Sequence, residues 1–277
     1  MGIDVKRLEV LERIAEYEKA GRFNDDVEID PPSKPSLPNE VDYVNKKLSS
    51  KFLTILANFL GKTFFESMIK KKTFVISSVK GLENIPKDKG VIITCNHFNI
   101  KDNYAVYRAI RPVLPRGHYL YKVIKEGNYN NFKGPVKLMM RHANTLPLSS
   151  NFDTMKKFYD GVETLLSRGE KILVYPEQAM WFNYRKPRPL KKGAFKIAAR
   201  YSAPIVPAFI CMKDGVGLDG DGFPVQEYHI EFFKPIYIDD TLPLKQAIKN
   251  ACEKNYRVWV DAYENFYGEK LSYDIKQ

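Results

Sequence analysis

The run Cys95-Asn96-His97-Phe98-Asn99-Ile100-Lys101-Asp102 sets an imidazole and a carboxylate five residues apart, directly after an apolar stretch. A histidine has an unperturbed pKa near neutrality, so it suits general-base work, and an acidic neighbour holds its tautomer and stabilises the imidazolium. Spacing of this kind is common by chance in a chain with four histidines and 33 acidic residues. The elements that carry the pair therefore decide its meaning.

Residues 90–95 (GVIITC) are short, β-branched and opened by glycine, the pattern of a buried strand that delivers the motif at its carboxyl end. In open α/β sheets ligands sit at that end. Asn96 or Asn99 is expected to cap a helix through Tyr104, Val106 and Ala109, with Asp102 in its first turns. His97 then lies at the strand-to-helix corner, facing a cleft; the plain alternative is a histidine satisfied by a backbone carbonyl at a helix start. A second apolar strand, residues 172–178 (ILVYPEQ), ends on a proline and the carboxylate of Glu177. A third, residues 203–210 (APIVPAFI), carries prolines that predict an edge position or strand ends.

Taken in order, NH-x4-D, then Thr145-Leu146-Pro147-Leu148, then the apolar run into Pro176-Glu177, then Pro204-Ile205-Val206-Pro207, the chain resembles the glycerolipid acyltransferase family typified by 1-acylglycerol-3-phosphate acyltransferases. The likeness covers roughly residues 73–238 and opens with residues 74–86 (FVISSVKGLENIP), similar to the family's lead-in strand and turn. It implies an α/β fold, a central mixed sheet flanked by helices, with an N-terminal helical appendage. It also implies that His97 takes a proton from an acceptor hydroxyl as the oxygen attacks an acyl thioester, while Asp102 orients the imidazole, without a covalent acyl-enzyme. The expected substrate-binding set is Asn96, Asn99, Lys122, Glu177, Gln178, Arg185 and Arg188, with Glu177 ordering the acceptor pocket or pairing with a nearby arginine.

The sequence departs from the family pattern where the acceptor would be held. The family's third block reads PEG followed by Thr-Arg, whereas Gln178-Ala179-Met180-Trp181 follows Glu177 here. An arginine that commonly closes the second block is replaced by Ser149 or Ser150. Residues 184–192 (YRKPRPLKK) bring five cations close after Glu177 and are expected to grip a phosphate, unless they form a solvated basic loop. Arg141 and Lys122 are further cations near the sheet.

A length of 277 residues with 44% hydrophobic content supports one large α/β domain and a smaller appendage, divided here as residues 1–72 and 73–277. A net charge of +11 favours anionic partners, namely lipid head groups, coenzyme A or an acidic acyl carrier protein. The basic residues match no nucleic-acid module, so no nucleic-acid partner is expected. The three cysteines, Cys95, Cys211 and Cys252, lack paired spacing, which argues against a disulfide framework or zinc site. Repeats and low-complexity tracts are not evident.

Residues 31–38 (PPSKPSLP) read as an extended connector after one amphipathic helix over residues 5–17. Over residues 44–72, Phe52, Leu53, Ile55, Leu56, Phe59, Leu60, Phe64, Phe65, Met68 and Ile69 recur at helical spacing among lysines. Such a helix either docks in the bilayer interface or packs on the sheet. Gly61-Lys62-Thr63 is no nucleotide loop, because Leu56 stands where its first glycine is needed. No apolar run looks long enough to span a bilayer and the amino terminus lacks a signal-peptide core, so a cytoplasmic, peripheral location is expected. Helices are predicted over 153–169, 193–201 and 244–267, and a strand pair or one long strand over 228–238.

The sequence thus predicts an acyltransferase that moves a fatty acyl group from acyl-CoA or acyl carrier protein to a lyso-glycerolipid hydroxyl, foremost 1-acylglycerol-3-phosphate, with no metal or redox cofactor. The alternatives are another acceptor (a different lyso-lipid, a glycolipid, an aminoacyl lipid or a polyol) or a non-catalytic membrane-surface protein of the same fold.

Overall fold

The β-branched runs singled out above pair side by side at the centre of the computed structural model, which describes residues 4–275. Seven strands form one sheet: β1 (Val75–Lys80), β2 (Val91–Thr94), β3 (Leu120–Ile124), β4 (Thr145–Pro147), β5 (Lys171–Val174), β6 (Ile205–Leu218) and β7 (Pro224–Phe232). Their order is β1-β7-β6-β2-β5-β3-β4. All neighbouring pairs are parallel except the β6–β7 hairpin, so the sheet is mixed.

Alternation along the central strands explains why both faces are covered. Val91, Ile93 and Leu173 point to one side, where α3 (Asp102–Ile110) and the end of α2 (Leu48–Lys70) pack. Ile92, Ile172 and Val174 point to the other, against α6 (Phe152–Ser167), α7 (Gly193–Arg200) and α8 (Leu244–Tyr267). Gly90 opens β2 because nothing larger fits: a Cβ there would lie 2.2 Å from the carbonyl oxygen and 2.5 Å from the Cα of Leu166. Gly90→Ala must push α6 off the sheet and is expected to cost about 1–3 kcal/mol, read as a lowered urea midpoint with an unchanged slope.

One strand position differs from expectation. β6, the proline-bearing strand, is interior, flanked by β7 and β2. Pro207 is tolerated because it falls where the ladder to β2 ends, at Thr94↔Pro207, and the ladder to β7 begins, at Ala208↔Phe232. The run over 228–238 likewise divides into the end of β7 and an isolated bridge, Ile205↔Ile236. Residues 126–142 form two short helices that the sequence reading passed over, α4 (Glu126–Asn130) and α5 (Gly134–His142).

The amino-terminal segment lies across the carboxyl end of the sheet. The helix α1 (Val5–Lys19) buries Val10 and Ile14 with Phe23, Val27, Trp181 and Phe182. The proline-rich stretch then runs as a fastened strap. Ser36 is buried, donates its backbone N–H to Glu126 Oε1 at 2.7 Å and accepts from the hydroxyls of Ser149 and Thr154. The serines that replace the second-block arginine thus anchor this strap through Glu126.

α2 is, by length and composition, long and apolar enough to cross a membrane, contrary to the expectation that no segment reaches that length. One of its faces is committed to protein: Ser50, Thr54 and Ala57 are buried, Asn58 donates to Asn144 at 2.7 Å, and Phe65, Met68 and Ile69 pack on the core. The opposite face leaves Leu48, Phe52, Ile55, Phe59 and Phe64 exposed. The helix is thus clamped to the protein along one side and bare along the other.

Candidate active site

Beyond the last ladder position of β2, Asn96 takes over the role of backbone. Its side chain donates to the Ile210 carbonyl at 3.0 Å and accepts from the Ile210 N–H at 2.8 Å, tying the loop to β6. This buried amide leaves His97 facing outward. Neither asparagine caps α3 in the expected way: Lys101 stands at the N-cap without a side-chain bond, and Asn99 accepts from the Lys101 N–H inside the turn.

His97 Nδ1 lies 2.9 Å from Asp102 Oδ2. A carboxylate offers only acceptors, so Nδ1 carries the hydrogen, and in the neutral imidazole Nε2 keeps its lone pair for an incoming proton. Asp102 is fully buried at the start of α3. Its Oδ2 also accepts from the Phe98 and Asn99 N–H groups, each at 2.8 Å, and its Oδ1 from the Tyr228 hydroxyl at 3.2 Å. Four donors offset the desolvation of the charge, and the first turn of the helix favours it further. Burial and the nearby Asp102 push the Tyr228 hydroxyl well above the ordinary tyrosine range, so it remains a donor.

The imidazole stacks on Tyr175, with ring centroids 4.0 Å apart and planes 13° from parallel. The Tyr175 hydroxyl in turn donates to Asn103 Oδ1 at 3.2 Å. Thus the histidine is held on its Nδ1 edge by Asp102 and on one face by Tyr175.

Glu177 fixes the loop from the other side. Its Oε2 accepts the His97 N–H at 3.1 Å and Arg188 Nη2 at 3.1 Å, and its Oε1 accepts the Arg188 N–H at 2.8 Å. Both partners are buried, Glu177 at 3% and Arg188 at 1% exposure. The guanidinium also donates to the carbonyls of Phe23 and Ala179 and lies over the Trp181 ring. Burial lowers its pKa while Glu177 opposes the shift. The loops are further joined by Trp181 N–H to the His97 carbonyl at 3.2 Å and Asn183 N–H to that of Phe98 at 3.0 Å. Gln178, where the resembled family has glycine, adopts a left-handed φ of 67°, a strain of order 1 kcal/mol at the site.

A cavity of about 500 Å³ opens beside His97. Its apolar lining includes Ile100, Phe132, Met140, Phe158, Val174 and Ile197. Polar groups come from His97, Asn103, Asn128, Gln178, Lys125 and Lys191, and from the carboxylates Asp26, Glu28 and Asp30 just ahead of the proline-rich strap.

Of the residues expected from sequence, His97 and Gln178 line this cavity, Asp102 and Glu177 hold the His97 loop from behind it, and Asn96 and Asn99 shape that loop. The remaining three do not present free cations to the cavity. Arg185 is paired with Asp214 at 2.7 Å, and Arg188 is spent on Glu177. Lys122, half-buried on β3 beside Leu173 and Thr145, is outside the lining, and desolvation lowers its ammonium to about 8. Sequence reading missed Tyr175, Tyr228 and the carboxylates ahead of the strap. Tyr175 could have been found as the residue just before Pro176-Glu177, whereas Tyr228 and Asp26 arrive through long-range packing.

The sequence model described as Acyltransferase matches residues 77–211. No curated protein matches the chain. Among solved structures, the 1-acyl-sn-glycerophosphate (LPA) acyltransferase PlsC from Thermotoga maritima is similar, with 18% sequence identity and a TM-score of 0.54, covering 96% of this chain and 97% of that one. At that identity the likeness concerns the fold, a mixed sheet flanked by helices.

Proposed function

We propose that this chain, whose residues 77–211 match the Acyltransferase model, is an O-acyltransferase that moves a fatty acyl group from acyl-CoA or acyl carrier protein to the free hydroxyl of a lyso-glycerolipid, 1-acylglycerol-3-phosphate before others. The observation that carries the reading is His97, with Nδ1 saturated by the buried Asp102 and Nε2 free beside a largely apolar cavity. The acceptor hydroxyl gives its proton to Nε2 as its oxygen attacks the thioester carbonyl carbon. Collapse of the tetrahedral intermediate breaks the carbon–sulfur bond, and the imidazolium returns the proton to the leaving thiolate. Asp102 stabilises the transient imidazolium, and Tyr175 keeps the ring in plane. The Gln178 side chain, which lines the cavity without a hydrogen-bond partner among the described residues, supplies a donor for the oxyanion. Proton transfer and acyl exchange of this kind require no metal or redox cofactor.

The acceptor is membrane-borne, and we place the enzyme on a cytoplasmic membrane face, where both donors occur. The exposed face of α2, with Lys47, Lys51 and Lys62 nearby, supports docking among anionic head groups. Phe132 and Val136 are also exposed, on or next to α5, which packs on α2, and Phe132 lines the cavity, which supports entry of a lyso-lipid from that side. Replacing Phe52 and Phe59 together with Asp is expected to weaken binding to vesicles containing anionic lipid by at least about tenfold in co-sedimentation. Binding unchanged in that variant would remove α2 from the interface.

The reading is tested by supplying acyl-CoA and acyl carrier protein donors to purified protein with a panel of lyso-lipids and identifying products by mass spectrometry. Phosphatidic acid as the main product supports the proposed acceptor. Another diacyl lipid would keep the chemistry and change the substrate, and no product from folded protein would favour a non-catalytic role.

A further inference from the structure

Among the described residues, the charges around the cavity leave one lysine free, Lys191 near the end of the basic run 184–192, while the arginines of that run are paired. Lys125 and Lys191 both line the space beside His97. The Lys125 ammonium lies 2.6 Å from Asp26 and 3.4 Å from Asp30. In the basic loop, Arg185, Lys186 and Arg188 are matched by Asp214, Glu18 and Glu177. Lys191 has no carboxylate within 4.0 Å among the described residues and no side-chain hydrogen bond. Its backbone N–H donates to the Pro176 carbonyl at 2.8 Å. Pro176 sits between Tyr175, which stacks on the imidazole, and Glu177, which binds the His97 N–H.

Lys191 is half-buried at the cavity wall, and the protein offers its ammonium no acceptor among the described residues. An anion brought by the ligand would supply one through a charge-assisted bond. Gly193 and Ala194, in the first turn of α7, also line the cavity, and that helix lacks a side-chain cap, so no protein side chain occupies its first amides. Asp26, Asp30 and Glu28 are engaged by Lys125 and Arg7.

We propose that Lys191 holds the anionic head group of the acceptor, a phosphomonoester, and thereby sets the preference for phosphorylated over neutral lyso-lipids. This rests on the acyl-transfer reading of the same cavity. It assigns specificity to a lysine at the start of α7 rather than to an arginine after Glu177.

The test compares wild type, Lys191→Ala and Lys191→Arg with 1-acylglycerol-3-phosphate and with uncharged monoacylglycerol, by initial rates. In parallel, equilibrium binding of the same two lipids is measured in a His97→Ala background, which needs no turnover. Lys191→Ala is expected to raise KM for the phosphorylated acceptor about tenfold with kcat within threefold. The ratio of kcat/KM between the two acceptors should fall by the same factor, and Lys191→Arg should recover most of it. Equal loss on both acceptors, or no loss on the phosphorylated one, would overturn the assignment. Absence of transfer by wild type to any lyso-lipid would instead sink the acyl-transfer reading. The binding arm still decides then: a tenfold difference confined to the phosphorylated lipid supports Lys191, and equal binding of both lipids by wild type and variant rejects it.

Discussion

His97→Ala is expected to lower kcat/KM for acyl transfer by at least about 10³-fold while moving the melting temperature by no more than about 3 °C. General-base assistance contributes roughly 10²–10⁴-fold in such reactions, and no other imidazole lines the cavity to replace it. The fold should survive because the interactions that fix the side chain are its hydrogen bond to Asp102 and its stack on Tyr175, and the Phe98 and Asn99 amides and the Tyr228 hydroxyl still satisfy the carboxylate. Asp102→Asn is the sharper companion. Its amide nitrogen can turn toward the Tyr228 oxygen and its carbonyl toward the three donors, so the loop is kept while the counter-charge to the imidazolium is lost. A fall of about 10²-fold or more in kcat is expected there, with little change in KM.

Glu177→Ala should produce the largest loss of stability, about 3–5 kcal/mol, or roughly 10 °C in melting temperature. The cause is what remains: the Arg188 guanidinium, 1% exposed, loses its carboxylate and stays buried with carbonyls and an aromatic face. The His97 N–H loses its acceptor as well, so activity falls with stability. Replacing both residues with apolar side chains of similar size is expected to recover part of the stability and none of the activity, which separates the ion pair's structural part from its hold on the catalytic loop. A thermal melt of Glu177→Ala within 2 °C of wild type would contradict this account.

The central strands β2 and β5 were legible because residues 90–95 and 172–178 are short, apolar runs bounded by glycine or proline, whereas β3 and β4 were not read as strands. The long helices were legible from their periodicity, and α8 spans Leu244–Tyr267 as expected. The placement of β6 was not, since a proline in a strand argues for an edge unless one knows that two ladders change over at Pro207. At the site, residues near in sequence were found and residues near only in space were not. His97 and Asp102 lie in one loop and could be read together, whereas Tyr228 reaches Asp102 from 126 residues away. The cationic loop shows the limit most clearly. Its composition suggests a phosphate grip, but the pairing of Arg185, Lys186 and Arg188 depends on Asp214, Glu18 and Glu177, whose positions only the fold supplies. The proline-rich stretch is a further instance, reading as a linker although its own Ser36 is fully buried.

The most direct test of the central claim is the rate of thiol release from acyl-CoA by purified protein, with and without 1-acylglycerol-3-phosphate, wild type beside His97→Ala. Direct transfer by a histidine base predicts release that depends on the acceptor in wild type and falls by at least about 10³-fold in the variant. Release that persists in His97→Ala, or that proceeds in a burst without acceptor as a covalent acyl-enzyme would give, contradicts it.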